Sequence, residues 1–283
     1  MLLELHESTN IPSLITNSES WTLLKSEEKE VEQAEIQCLK GMFDLPLKTP
    51  TTSIIYTFGT LYTNIRIDQK KLMYLHKILN RDSTHWTKKS FHTLEKYNIG
   101  WYKSIIKTLD AYEIPNDLDQ IKRYSPNEWR NIVRNAVEKQ NRTRLIDECH
   151  KNVEGILTPK TKSAHIIPKL NDPNYTRKPL EELSHLSKRE AKTLIIARYG
   201  MLECGKNFKG TQSEQCITCC CIDDEEHRLN VCPLYSSTNY NDYCDKIKFE
   251  TIFSNNIVTI REILPRIANV WNTKIGQGSM NVT

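Results

Sequence analysis

Apolar residues recur along this chain at spacings of three and four, the period of helices with one buried face, and no segment alternates convincingly enough to be a central strand. In residues 26–43, Val31, Ala34, Cys38 and Met42 fall on one line with Ile36, Leu39 and Phe43 beside it. Gly41 weakens the last turn and Pro46 stops any continuation. Thr49 as a cap followed by Pro50 predicts a short helix to Gly59. In residues 65–79, Ile65, Leu72, Leu75 and Leu79 share a face that Ile67, Tyr74 and Ile78 widen. Trp86, Phe91 and Leu94 suggest another helix, and Trp101, Ile105, Ile106 and Leu109 one more after the break at Gly100.

Two capping boxes strengthen the pattern. Ser125-Pro126-Asn127-Glu128 opens a helix that turns Trp129, Ile132, Val133, Ala136 and Val137 inward. Ser187-Lys188-Arg189-Glu190 opens another, with Ala191, Leu194, Ile195, Arg198, Met201 and Leu202 on its inner side. The tryptophans are expected in the core. Beyond Pro233 two further helices are expected, over 237–247 and 258–271, the second interrupted or kinked at Pro265. The fold class is all-α. Pro159, Pro168, Pro173 and Pro179 mark residues 157–179 as a linker between a helical region, 1–156, and a region of helix, knuckle and C-terminal helices, 180–283.

Composition narrows the function. At 283 residues the chain can form one large or two modest domains. No apolar run approaches the roughly 20 residues that span a bilayer, and the acidic start, Met1 to Glu7, lacks the basic head and apolar stretch of a signal peptide. The expected compartment is cytoplasmic or nuclear. The net charge of +4 is unevenly spread: about −5 over residues 1–59, +11 over 60–215 and −2 over 216–283. A basic middle points to a polyanionic partner, RNA or DNA. Arg66, Lys70, Lys71 and Lys77, then Arg130, Arg134 and Lys139, are the candidate phosphate contacts. A merely solvated basic surface is the competing explanation.

The nine cysteines are odd in number and cluster around one histidine, as reduced metal-binding thiols do. Cys216, Cys219, His227 and Cys232 are spaced Cys-x2-Cys-x7-His-x4-Cys, a full tetrahedral set for structural Zn2+ with no place left for a catalytic water. Cys220 and Cys221 follow directly, which leaves the thiol register open.

Several segments carry a resemblance. Ile11-Pro12-Ser13-Leu14-Ile15 with Ser18-Glu19-Ser20-Trp21, Leu45-Pro46, Thr49-Pro50-Thr51 and Met73 through Leu79 resemble, in order, segments just downstream of the polymerase palm in non-LTR retrotransposon reverse transcriptases. Arg198-Tyr199-Gly200-Met201-Leu202 through Asn207-Phe208, the Cys/His set, and Glu225 to Pro233 resemble the zinc-binding end of the same polyproteins. The resemblance implies a helical thumb-like bundle followed by a zinc knuckle, contacts with template and primer or nucleic-acid target, and the rest of a polyprotein as partner. That family often has glycine after the second Cys, where positive φ is easy; here Cys220 stands there.

Catalysis is not expected. The polymerase active site of that family is a Tyr-x-Asp-Asp hairpin whose paired carboxylates hold two metals. The only Asp pair here, Asp223-Asp224, follows Cys221-Ile222 without flanking strands and reads as an exposed acidic loop tip. Asp242, Asp245 and Lys248 lack the pattern of the family's endonuclease, and no Gly-rich phosphate loop occurs. A protein-interaction module or a decayed fragment is the alternative to nucleic-acid binding.

Overall fold

Helices begin where the two capping boxes put them. In the computed structural model, which describes residues 2–154, 166–199, 215–216, 218–230, 232, 252 and 256–272, the Ser125 N–H donates to Glu128 Oε2 at 2.8 Å and the Glu128 N–H donates back to Ser125 Oγ at 3.3 Å. The helix so capped runs Pro126–Glu154. Ser187 and Glu190 form the same reciprocal pair ahead of Lys188–Arg198. Helices Lys25–Met42, Thr51–Phe58, Thr63–Leu79, Trp86–Tyr97 and Gly100–Ala111 follow the apolar periodicity. The described elements are all helical, so the chain is all-α; among the described residues the only extended pairing is a bridge between Gln215 and Ile222. No helix among them is long and apolar enough to cross a membrane.

Local departures have local causes. Ile257–Asn272 passes through Pro265 as one helix. Buried Ile260, Ile263, Leu264 and Ile267 supply a stripe whose packing offsets the roughly 3 kcal/mol that an interior proline costs. Thr49 does not cap the Thr51–Phe58 helix: it lies one residue ahead of the capping position, and its hydroxyl donates to the Pro46 carbonyl at 2.7 Å. Short helices at Leu118–Arg123 and Ile166–Asn171 were not legible as periodicity, since six residues sample less than two turns. Asp117, whose carboxylate accepts from the N–H groups of Asp119 and Gln120, is the cap that marks the first. The tryptophans divide: Trp129 is fully buried, whereas Trp86 is 71% exposed, contrary to the expectation of a core position. Residues 157–165 of the linker, the 237–247 helix and Met201 and Leu202 lie outside the described residues.

The chain separates into two compact units: Met1–Leu39 with Phe58–Lys151 and Ile167–Arg177, and Lys40–Thr57 with Asn152–Ile166 and Lys178–Thr283. In the first, Trp129, Val133, Val137, Leu145 and Cys149 of the longest helix are buried, as are Ile65, Leu72 and Leu75 of Thr63–Leu79. The Trp129 indole donates to the Leu72 carbonyl at 3.0 Å and stacks beside His76 and Tyr124. Arg144 extends this core with polar contacts: it pairs with Glu32 and Glu148 and lies 3.6 Å from the centre of the Tyr62 ring. In the second unit Lys188–Arg198 and Glu225–Asn230 both pack on Ile257–Asn272. The buried Arg198 guanidinium donates to the Ile252 carbonyl at 2.9 Å. This packing fixes the helix that carries His227.

Candidate metal centre

A tight turn and one short helix gather the four predicted ligands. The Cys216 N–H donates to the Cys221 carbonyl at 2.7 Å and the Cys220 N–H to the Cys216 carbonyl at 2.8 Å, folding the loop back on itself beside the Gln215–Ile222 bridge. Cys220 takes φ +53°, the left-handed conformation that glycine occupies at low cost, so the turn is kept despite the side chain. Asp224 then accepts from the His227 N–H at 2.9 Å and starts Glu225–Asn230. The Cys232 N–H donates to the His227 carbonyl at 2.7 Å and brings the last thiol back.

The ligand atoms of Cys216, Cys219, His227 and Cys232 lie within 4.8 Å of one another. Cys216, His227 and Cys232 are buried, Cys219 half-buried, and Cys220 and Cys221 exposed. Of the three consecutive thiols, Cys219 therefore joins the cluster.

The spacing fits zinc. Four sulfur ligands 2.3 Å from a tetrahedral ion sit about 3.8 Å apart; Cys216 Sγ is 3.7 Å and Cys219 Sγ 3.8 Å from Cys232 Sγ. A disulfide would need about 2.05 Å. His227 Nε2 is buried and makes no hydrogen bond, a polar atom left for a ligand. Burial pushes the Cys216 thiol up, but the neighbouring His227 ring, the backbone of Cys219 and Thr218 and the Cys232 thiol outweigh it and bring it down to about 6. Burial and the neighbouring Cys216 raise the Cys219 thiol.

The acidic pair is not an exposed loop tip. Asp223 is 4% exposed, and its two oxygens accept from Arg228 Nε and Nη2 at 2.6 Å each. Asp224 is the helix cap. Asp223 is thus committed to Arg228 inside the knuckle. An Asp immediately before Glu225 and Glu226, acidic first-turn residues, was the available signal for the cap; nothing local marked the Asp223 clamp.

The basic candidates divide. Lys70, Lys77 and Arg130 line one groove of the first unit with Glu19, Met73 and Tyr74. Lys77 and Arg130 are exposed, and Arg134 is exposed one turn along from Arg130. The Lys70 ammonium donates to the Ile15 carbonyl at 2.9 Å. Lys139 is exposed but paired with Glu113. Two candidates turn into the fold. Arg66 clamps Glu7, holding that carboxyl below its ordinary range against the upward push of burial. Lys71 is 3% exposed, with its ammonium 3.9 Å from Asp68. Neither presents its charge to a phosphate. Comparison of the chain with family models, curated proteins and solved structures returned no match.

Proposed function

We propose that this chain is a nucleic-acid-binding part of a non-LTR retrotransposon reverse transcriptase, the thumb-like and zinc-knuckle region, with a structural Zn2+ on Cys216, Cys219, His227 and Cys232 and no catalysis of its own. One observation carries the binding reading: Lys70 and Lys77 of Thr63–Leu79 and Arg130 of Pro126–Glu154 line a single groove. Backbone phosphates supply the sequence-independent part of nucleic-acid affinity, and exposed cations converging on a groove are the groups that meet them. The 3.7 and 3.8 Å sulfur separations support the metal. Its role is to hold the turn and helix of the knuckle together, since four protein ligands leave no site for a reacting water. The engagement of Asp223 by Arg228 supports the absence of a carboxylate pair for polymerisation.

The test is an anisotropy titration of the zinc-loaded full chain against labelled duplex and single strands over a salt series. Replacing Lys77, Arg130 and Arg134 by Gln is expected to weaken binding to all sequences alike and to flatten the log–log salt slope on duplex DNA by about 0.9 for each phosphate no longer neutralised. Unchanged affinity and slope would return the groove to a solvated surface and favour a protein-interaction module. The same chain with primer, template, nucleotides and Mg2+ is expected to extend nothing; a template-dependent product would refute the non-catalytic part.

A further inference from the structure

The Trp86–Tyr97 helix uses only part of its surface to hold itself in place. Thr87 and Phe91 are buried and Leu94 half-buried, which defines its packed side. On the adjoining side Trp86, Lys89, Ser90, Thr93, Lys96 and Tyr97 are all exposed. Trp86 and Tyr97 are eleven residues apart, three helical turns, so they stand on one line roughly 16 Å apart.

The two aromatic rings are 71% and 62% exposed, an unusual position for such large apolar side chains, and they open both ends of the stripe to a ligand. The charge between them has one sign. Lys89 and Lys96 lie on the stripe, the Lys96 ammonium 5.7 Å from the centre of the Tyr97 ring. The helix's one carboxylate, Glu95, is on another side and pairs with His92 at 2.9 Å. At the other end His85 stacks against Trp86, their ring centres 6.0 Å apart, and Arg81 meets His85 at 2.7 Å. Exposed aromatics flanking unopposed cations suit a strand that offers both a base face and a phosphate. An acidic protein would use the lysines but leave two large rings without a flat partner, and a duplex keeps its base faces stacked inside.

We infer that the stripe Trp86, Lys89, Lys96 and Tyr97 binds unpaired nucleotides, with bases stacked on the two rings and phosphates on the two lysines. The inference rests on the nucleic-acid reading above and adds a preference for single strands, located on a different helix from Lys77 and Arg130. The rings sit outside the core, so replacing them leaves the fold intact, which circular dichroism and thermal melting check.

The experiment titrates the full zinc-loaded chain with a mixed-sequence single-stranded oligonucleotide and with the duplex of the same sequence. Trp86→Ala combined with Tyr97→Ala is expected to lower single-strand affinity about ten-fold or more, to change duplex affinity less than about two-fold, and to leave the salt slope unaltered. Trp86→Phe with Tyr97→Phe, which keeps a ring at each place, is expected to restore most of the loss. Wild-type binding with unchanged single-strand affinity in the alanine variant would overturn the stripe alone. So would an equal loss on both forms, or a wild-type oligomer that the alanine variant dissociates, the mark of a protein contact. A wild-type chain that binds neither form would overturn the nucleic-acid reading itself.

Discussion

Replacing Asp223 by Ala should open the knuckle without touching a metal ligand. The Asp223 and Arg228 side chains are 5% and 1% exposed and share two hydrogen bonds of 2.6 Å. Removing one partner of such a pair leaves the other buried charge without that counter-charge, at a cost of up to about 3–5 kcal/mol. Arg228 follows His227 on the same short helix, and in a site of this size the free energy of folding and of metal binding are one quantity. The loss should therefore appear as weaker zinc binding, by up to about 10²- to 10⁴-fold at about 1.4 kcal/mol per decade. Asp223→Asn keeps an acceptor for one guanidinium N–H and should fall between the two. Exchanging both partners for apolar residues of similar size, Asp223→Leu with Arg228→Met, should recover part of the loss, because a buried ion pair contributes little over good packing. Competition for zinc against a chromophoric chelator, on the reduced 283-residue chain, reads the affinity directly. An Asp223→Ala chain within about three-fold of wild type would show that the clamp does not hold the knuckle.

The thiol register gives a second expectation: metal analysis of reduced protein should find zinc lost from Cys219→Ser and retained in Cys220→Ser and Cys221→Ser, and full zinc in the first with loss in the second would reverse the assignment. Asp68 gives a third. Burial pushes its carboxyl from the ordinary 3.8 up to about 6, against the downward pull of Lys71 and of the Tyr112 hydroxyl. Between pH 4 and 6 the folded chain therefore keeps a proton that the unfolded chain has lost, and this group's contribution to stability declines as pH rises through that window, by at most about 3 kcal/mol. Asp68→Asn should remove that decline, which denaturant titrations at pH 4, 5 and 6 would measure; the same slope in the variant would assign it to another group.

What the sequence determined was local. A capping box is four residues that bond to one another, so Ser125 with Glu128 and Ser187 with Glu190 announce their helices unaided. The knuckle is local too: its four ligands lie within seventeen residues, and ligand chemistry restricts which residue types can serve. Apolar periodicity carried the all-α class because a helix of several turns repeats its buried face often enough to be counted.

Tertiary structure decided what each polar or aromatic side chain was used for. Lys71 and Lys77 stand on one helix with the same charge, yet Lys71 is buried beside Asp68 while Lys77 is exposed on the groove. Arg66 is taken by Glu7, 59 residues earlier in the chain. Trp129 and Trp86 have the same indole; one reaches the Leu72 carbonyl in the core and the other faces solvent. The reason is physical. Periodicity reports how a residue is turned about its own helix axis, whereas burial and ion pairing depend on which other segment packs against that side, and that segment is distant in sequence.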